Sequence, residues 1–147
     1  MDQQLITSPP PPRATELHAW VLNTSTELKH LRAAMREALA GQGLLPGDDG
    51  LEVVDSMVLV ATELASNAIR HGRPPTEIRL LRTDEHFVLD VADHDLSTVP
   101  ELAHTRPIDA GGRGLLLAMN MSLKVGWYAA EQTKHIWAVF PVPVRAG

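Results

Sequence analysis

The longest regular pattern in the chain lies between Leu51 and His71, and Gly72 and Pro74 follow it, as expected at a helix end. At about 100° per residue, seven apolar residues share one broad arc and should face a core. They are Val54, Met57, Val58, Ala61, Leu64, Ala65 and Ala68. Four polar residues gather on the adjoining arc: Glu63, Asn67, Arg70 and His71. The pattern predicts a long helix with a polar cluster beside its buried stripe.

Shorter patterns on both sides of this helix predict the remaining elements. Period-two alternation and turn signals indicate five strands, at residues 16–22, 76–82, 86–93, 124–130 and 134–144. Two further helices are expected, at residues 28–39 and 115–121, with loops at 46–50 and 94–113. Prolines at positions 141 and 143 predict a sheet edge at the end of the last strand. This order indicates an α+β fold, a two-layer α/β sandwich with a mostly antiparallel sheet and helices on one face.

The length of 147 residues fits one domain of ordinary size. The first 14 residues include four consecutive prolines, Pro9 to Pro12, which lack the backbone N–H that helices and sheets use. We therefore expect a flexible Pro-rich tail over residues 1–14 and a single domain over residues 15–147.

Composition excludes several classes of function. Thirteen basic and eighteen acidic residues give a net charge of −5 without any basic run, which argues against direct binding of nucleic acid. No segment approaches the roughly 18 apolar residues of a membrane span, and the first residues lack the basic region of a signal peptide. The expected location is the cytoplasm, away from the membrane. The absence of cysteine excludes thiol catalysis and cysteine-based zinc sites.

Three side chains outside the apolar stripe are candidates for binding or catalysis. Glu63 and Asn67 present a carboxylate and a carboxamide one helical turn apart, which suits a magnesium ion and a positioned nucleophile. Asp93 ends a predicted strand at the long loop, where ligand-binding residues often lie. Taken singly, each has a simpler interpretation: an exposed helix face for the first pair and an ordinary turn aspartate for Asp93.

A glycine-rich segment, Gly111–Gly114, directly precedes the predicted short helix. The backbone amides of Gly112, Arg113 and Gly114, at a helix N-terminus, could cradle phosphate oxygens, and a flexible hinge is the alternative. A Rossmann site is disfavoured because Leu117 stands at the position of the third glycine, and no Walker lysine follows.

Four segments, in this order and spacing, resemble the GHKL ATPases in the form found in bacterial anti-sigma factor serine kinases. Residues 63–72, ELASNAIRHG, look like the N box of that family. Asp93, which ends VLDVAD, resembles the aspartate of the first glycine box, and residues 112–115, GRGL, resemble the second. Residues 133–138, TKHIWA, are similar to the closing strand. The resemblance runs over residues 17–142.

The resemblance implies a histidine-kinase-like ATPase domain that binds ATP and Mg²⁺ between its helical layer and the loop at 94–113. By this resemblance Glu63 would be the general base that takes a proton from the partner's serine, and Asn67 would be the magnesium ligand. Asp93 would accept a hydrogen bond from the adenine amino group. The phosphates would be lined by Gly112, Arg113 and Gly114.

The function implied is that of an ATP-dependent anti-sigma factor serine/threonine kinase that regulates transcription by partner switching. Its partners would be a sigma factor and a STAS-domain antagonist, and a homodimer is one alternative for its oligomeric state. Asp95 and Ser97, however, stand where the first glycine box of the family commonly has glycines. This departure favours a second hypothesis, a module of the same fold that sequesters a partner without transferring phosphate, with or without ATP.

Overall fold

A computed structural model of the protein describes residues 6–7, 14–44, 48–95, 113–130 and 132–143, with side chains at 14–44, 50–95, 117–130 and 132–143. The strands are β1 (Ile6–Thr7), β2 (Thr15–Leu22), β3 (Thr76–Arg82), β4 (His86–Asp93), β5 (Lys124–Ala129) and β6 (Lys134–Pro141). The helices are α1 (Leu28–Ala40), α2 (Asp48–His71) and α3 (Arg113–Met121), and a 3-10 turn, Ser25–Glu27, precedes α1. Within these residues, no helix has both the length and the apolarity that crossing a membrane requires.

The helices follow the predicted apolar patterns closely. In α1, Leu31, Met35 and Leu39 recur at four-residue steps and are buried. Helix α2 begins at Asp48 instead of Leu51, so the predicted loop at 46–50 is wrong from residue 48 onward. The first turn, residues 48–50, contains no apolar residue, so the apolar pattern could not predict it.

The strands form one six-stranded sheet in the order β1-β5-β6-β4-β3-β2. Strand β1 pairs in parallel with β5, and every other neighbouring pair is antiparallel. The predicted hairpin of residues 76–82 and 86–93 is confirmed at both ends of both strands. The α+β class with a mostly antiparallel sheet is therefore confirmed.

One face of the sheet holds the main core together with the helices. Alternate strand residues on this face pack against the buried stripes of α1 and α2. They include Ile78, Leu80, Phe87, Leu89, Ala138 and Phe140. The other face carries a smaller buried cluster of Leu81, Val88, Trp137 and Val139. The sheet thus has a helix-covered face and an outer face, and both contain buried residues.

The structure corrects two expectations about strands. Ile6 and Thr7, predicted to lie in a flexible tail, pair with Gly126 and Trp127 of β5, whereas most of the tail lies outside the described residues. Strand β6, predicted to end at a sheet edge, lies between β5 and β4. Its proline causes no conflict there because Pro141 is the last strand residue, and the next amide, Val142 N–H, donates to Glu85 O at 3.0 Å.

Candidate functional site

Asp93 ends β4 on the helix-covered face and is only 5% exposed. Its Oδ1 accepts the backbone N–H of Asp95 at 2.7 Å, and its Oδ2 lies 3.8 Å from Nζ of Lys134 on β6. Burial raises the pKa of the Asp93 carboxyl above its usual value, and the Asp95 amide and the Lys134 ammonium offset only part of that rise. The carboxylate is therefore buried but keeps unused capacity to accept hydrogen bonds.

Gly72 allows the end of α2 to approach this carboxylate closely. A Cβ atom at this position would lie 2.6 Å from Oδ2 of Asp93 and 2.7 Å from the carbonyl oxygen of Ala68. The contact continues in the backbone, where His94 N–H donates to the carbonyl oxygen of Arg73 at 3.1 Å. In the sequence Gly72 marks a helix end and closes the segment that resembles the N box; its approach to Asp93 has no sequence signal because it depends on how the helix packs on the sheet.

Glu63 and Asn67 lie on α2, half-buried and one turn apart. Neither side chain has a hydrogen-bond or ion-pair partner in the described part of the chain. At 1.5 Å per residue, Asn67 lies about 8 Å and Glu63 about 13 Å along the helix from Gly72. Asn67 and Glu63 therefore lie at increasing distances along the helix axis from the end that contacts Asp93.

The glycine segment is described only from Arg113 onward. Arg113 and Gly114 form the start of α3, which packs against α2, whereas Gly112 lies outside the described residues. The prediction of a helix directly after the glycines is confirmed, although it begins at Arg113 instead of Leu115.

Lys134 is a residue of this site that sequence reasoning missed. It is 9% exposed and directly opposite Asp93 in the pairing of β4 with β6. The sequence gives no signal for this pairing because it depends on the strand order. In the described part of the chain, no three histidine or acidic side chains converge on a position that could hold a metal ion.

A second buried carboxylate, Asp90, lies on the outer face of the same strand and is 1% exposed. Oδ1 lies 2.7 Å from Nδ1 of His135, and Oδ2 accepts from Arg79 at 3.1 Å and from the Tyr128 hydroxyl at 3.2 Å. The His135 ring stacks on Tyr128 with 4.5 Å between centroids. Burial, followed by the charge of Asp90, raises the pKa of Tyr128 to about 12.

Comparisons with known proteins relate this chain to one family and to one solved structure. Residues 21–140 match the family model described as histidine kinase-like ATPase domain. A crystal structure of the RsbU and RsbW domains of Rv1364c from Mycobacterium tuberculosis matches 88% of this chain, with a TM-score of 0.60 and 16% identity. The chain covers 34% of that longer chain, and at this identity the match shows a shared fold alone. No curated protein matches the chain.

Proposed function

The chain belongs to the histidine kinase-like ATPase domain family, and on this premise we propose that it is an ATP-dependent anti-sigma factor serine/threonine kinase. It acts in the cytoplasm and regulates transcription by partner switching between a sigma factor and a STAS-domain antagonist, which it phosphorylates. The fold shared with a chain that contains an RsbW domain supports this class of function. When bound, ATP supplies the phosphoryl group and Mg²⁺ neutralises charge on its phosphates.

This proposal rests on one observation, the burial of the Asp93 carboxylate and the few hydrogen-bond donors that the described residues place around it. Its carboxylate is buried, and among the described residues no hydrogen-bond donor reaches Oδ2, since Lys134 Nζ is 3.8 Å away. A buried acceptor in this state suits an amino group that arrives with a ligand, such as the amino group of adenine. The missing side chain of Gly72 lets the end of α2 lie directly against this carboxylate, since a Cβ there would overlap Oδ2.

Glu63 and Asn67 supply the remaining side-chain chemistry in this proposal. The span of about 13 Å between Gly72 and Glu63 along α2 leaves room for ribose and phosphates between base and catalytic group. Asn67 lies between them and would hold the magnesium ion together with phosphate oxygens and water. Glu63 has no competing partner in the described residues and would take the proton of the acceptor hydroxyl.

The phosphates would rest on backbone amides at the start of α3. Gly112, Arg113 and Gly114 are proposed for this role because helix N-terminal N–H groups favour anions. Phosphoryl transfer depends mainly on positioning and charge neutralisation, which these amides and one base supply.

The surroundings of Asp93 also favour a second candidate function. The Lys134 ammonium is buried beside the carboxylate, and the backbone N–H of Asp95 already donates to Oδ1. Both groups compete with adenine for Asp93. The alternative is therefore a module that sequesters its partner without transferring phosphate, with weak ATP binding or none.

The substitution Glu63→Gln separates these two functions. It removes a proton acceptor but keeps the shape of the side chain and leaves Asn67 in place. We expect phosphorylation of a STAS-domain protein from labelled ATP to fall roughly 10²- to 10⁴-fold, with ATP affinity nearly unchanged. Glu52→Gln is the matched control, because Glu52 is an exposed carboxylate near the other end of α2. That variant should phosphorylate like the wild type.

Two outcomes would contradict the kinase proposal. Equal phosphorylation by Glu63→Gln and wild type would remove Glu63 from the mechanism. No phosphorylation by the wild type, together with tight binding of the STAS protein in calorimetry, would establish the sequestering module instead.

A further inference from the structure

Thr76, the first residue of β3, carries an unpaired buried hydroxyl. The residue is 0% exposed, and its Oγ1 is the one buried side-chain polar atom in the described part of the chain without a hydrogen-bond partner. Buried polar groups nearly always have a partner, because losing water without replacement destabilises the folded state. A hydroxyl left in this state therefore needs an explanation.

The strand register places this hydroxyl beside Asp93. In the pairing of β3 with β4, Glu77 lies opposite Ala92 and Ile78 lies opposite Val91. Continuing this register by one residue brings Thr76 opposite Asp93. Cβ atoms of directly opposite residues are about 4.5–5.5 Å apart. Ile78 and Val91 belong to the main core, so two residues further along their strands Thr76 and Asp93 lie on the same helix-covered face.

Two neighbouring buried groups with unfilled hydrogen-bonding capacity therefore meet at one corner of the sheet. In the described part of the chain, Oγ1 of Thr76 has no hydrogen-bond partner, and no donor reaches one of the two oxygens of Asp93. Burial raises the pKa of Asp93, which agrees with incomplete compensation of its charge. By contrast, Asp90 on the outer face is engaged at both oxygens.

We infer that Thr76 is a specificity-determining residue of the nucleotide site: its hydroxyl hydrogen-bonds, directly or through one water molecule, the purine edge whose amino group Asp93 accepts. The inference rests on the proposed function. On the edge of adenine an amino donor adjoins a ring nitrogen that accepts, and a carboxylate beside a hydroxyl offers the complementary acceptor and donor.

Thr76→Val tests this assignment because valine has nearly the same shape and no hydroxyl. Removing an unpaired buried hydroxyl should raise the denaturant midpoint whether or not the group serves a ligand. A second effect, on nucleotide binding, is expected only if the hydroxyl contacts the nucleotide. The dissociation constant of magnesium ATP, measured by calorimetry, should then rise about 3- to 10-fold, and the preference for ATP over GTP should shrink.

Two further variants make the result specific. Thr76→Ser keeps the hydroxyl, so it should bind ATP like the wild type even where it loses stability. Thr83→Val is the control on the opposite end of β3, where Thr83 Oγ1 accepts the N–H of His86 at 3.0 Å. This control should lower the denaturant midpoint and leave the ATP dissociation constant unchanged.

The outcomes separate this inference from the function on which it rests. Wild-type protein that binds ATP, with an unchanged dissociation constant in Thr76→Val, would overturn the role of Thr76 and leave the nucleotide site intact. ATP binding lost equally in Thr76→Ser and Thr76→Val would also overturn it, because serine retains the hydroxyl. No ATP binding by the wild type would overturn the proposed function itself, and the inference with it.

Discussion

Asp90 and Asp93 lie on one strand, both almost completely buried, yet their surroundings differ in a way that separates a structural group from a candidate functional one. Asp90, on the outer face, is surrounded by His135, Arg79 and Tyr128, all within 3.2 Å of its two oxygens. Asp93, on the helix-covered face, has among the described residues one backbone amide and a lysine at 3.8 Å. Burial alone therefore does not indicate a site.

The difference lies in how completely each charge is compensated. A buried carboxylate whose oxygens are all engaged orders the groups around it, and removing it leaves those groups buried and unpaired. Burial raises the pKa of Asp93, and no donor in the described residues reaches its Oδ2, so this carboxylate tends to bind a donor that arrives with a ligand. Stability measurements on the two aspartates can test this distinction.

The largest effect is expected for Asp90→Ala, which removes the shared partner of Arg79, His135 and Tyr128. Breaking a buried ion pair typically costs about 3–5 kcal/mol, and the free energy of unfolding measured in urea should fall by that amount. The ATP affinity of the folded fraction should not change, because Asp90 faces away from the helices. A loss below about 1 kcal/mol would mean that the outer network does little for stability.

Gly72→Ala should have an intermediate effect, because the new Cβ would lie 2.6 Å from Oδ2 of Asp93 and 2.7 Å from the backbone of Ala68. Relieving this overlap requires the backbone to shift, so we expect a loss of about 1–3 kcal/mol in unfolding free energy. Gly41→Ala is the control, since its Cβ would meet only the carbonyl oxygen of Ala38, at 3.7 Å.

Nucleotide binding adds a second measurement to the Gly72 comparison. Because the clash displaces Asp93, Gly72→Ala should also weaken ATP binding, whereas Gly41→Ala should not. Equal behaviour of the two alanine variants would show that the end of α2 does not determine the position of Asp93.

Sequence patterns predicted the parts of the fold that depend on local periodicity. The apolar arc of α2 and the alternation in the hairpin of β3 and β4 are local, and both elements formed as expected. The pairing of Ile6 and Thr7 with β5 and the interior position of β6 depend on strand order, which no local pattern encodes. The prolines at the end of β6 wrongly predict a sheet edge, because a local pattern does not show which strands lie beside β6.

The candidate site also combines features that local sequence predicts with features that depend on the tertiary structure. Asp93, Glu63 and Asn67 became candidates because their segments together resemble the boxes of one family, whereas each residue alone favours an ordinary turn or an exposed helix face. The surroundings of Asp93 include Lys134 on the neighbouring strand β6 and Gly72 at the end of α2, and the register of β3 brings Thr76 to the same corner. These positions depend on register and packing, so they required the structure.

The smallest effect on stability is expected for Asp93→Asn, the counterpart of Asp90→Ala on the helix-covered face. Asparagine resembles the protonated carboxyl, which the buried position favours, so the unfolding free energy at pH 7 should change by about 1 kcal/mol or less. Binding should change more, because an amide nitrogen can replace the acceptor that faces the amino group of adenine. We expect the preference for ATP over GTP to fall, and an unchanged preference would refute the role of Asp93.

The pH dependence of stability in wild type and Asp93→Asn tests whether burial dominates the surroundings of Asp93. Because burial raises the pKa of Asp93, the folded state binds its proton more readily than the unfolded state does. Wild type should therefore gain stability relative to Asp93→Asn as the pH falls through the raised pKa toward the ordinary value of 3.8, and lose that gain as the pH rises. The other carboxyl groups are common to both proteins and largely cancel in the difference. If wild type instead loses stability relative to Asp93→Asn as the pH falls, Lys134 and the Asp95 amide outweigh burial. Asp93 would then be a fully compensated carboxylate, as Asp90 is.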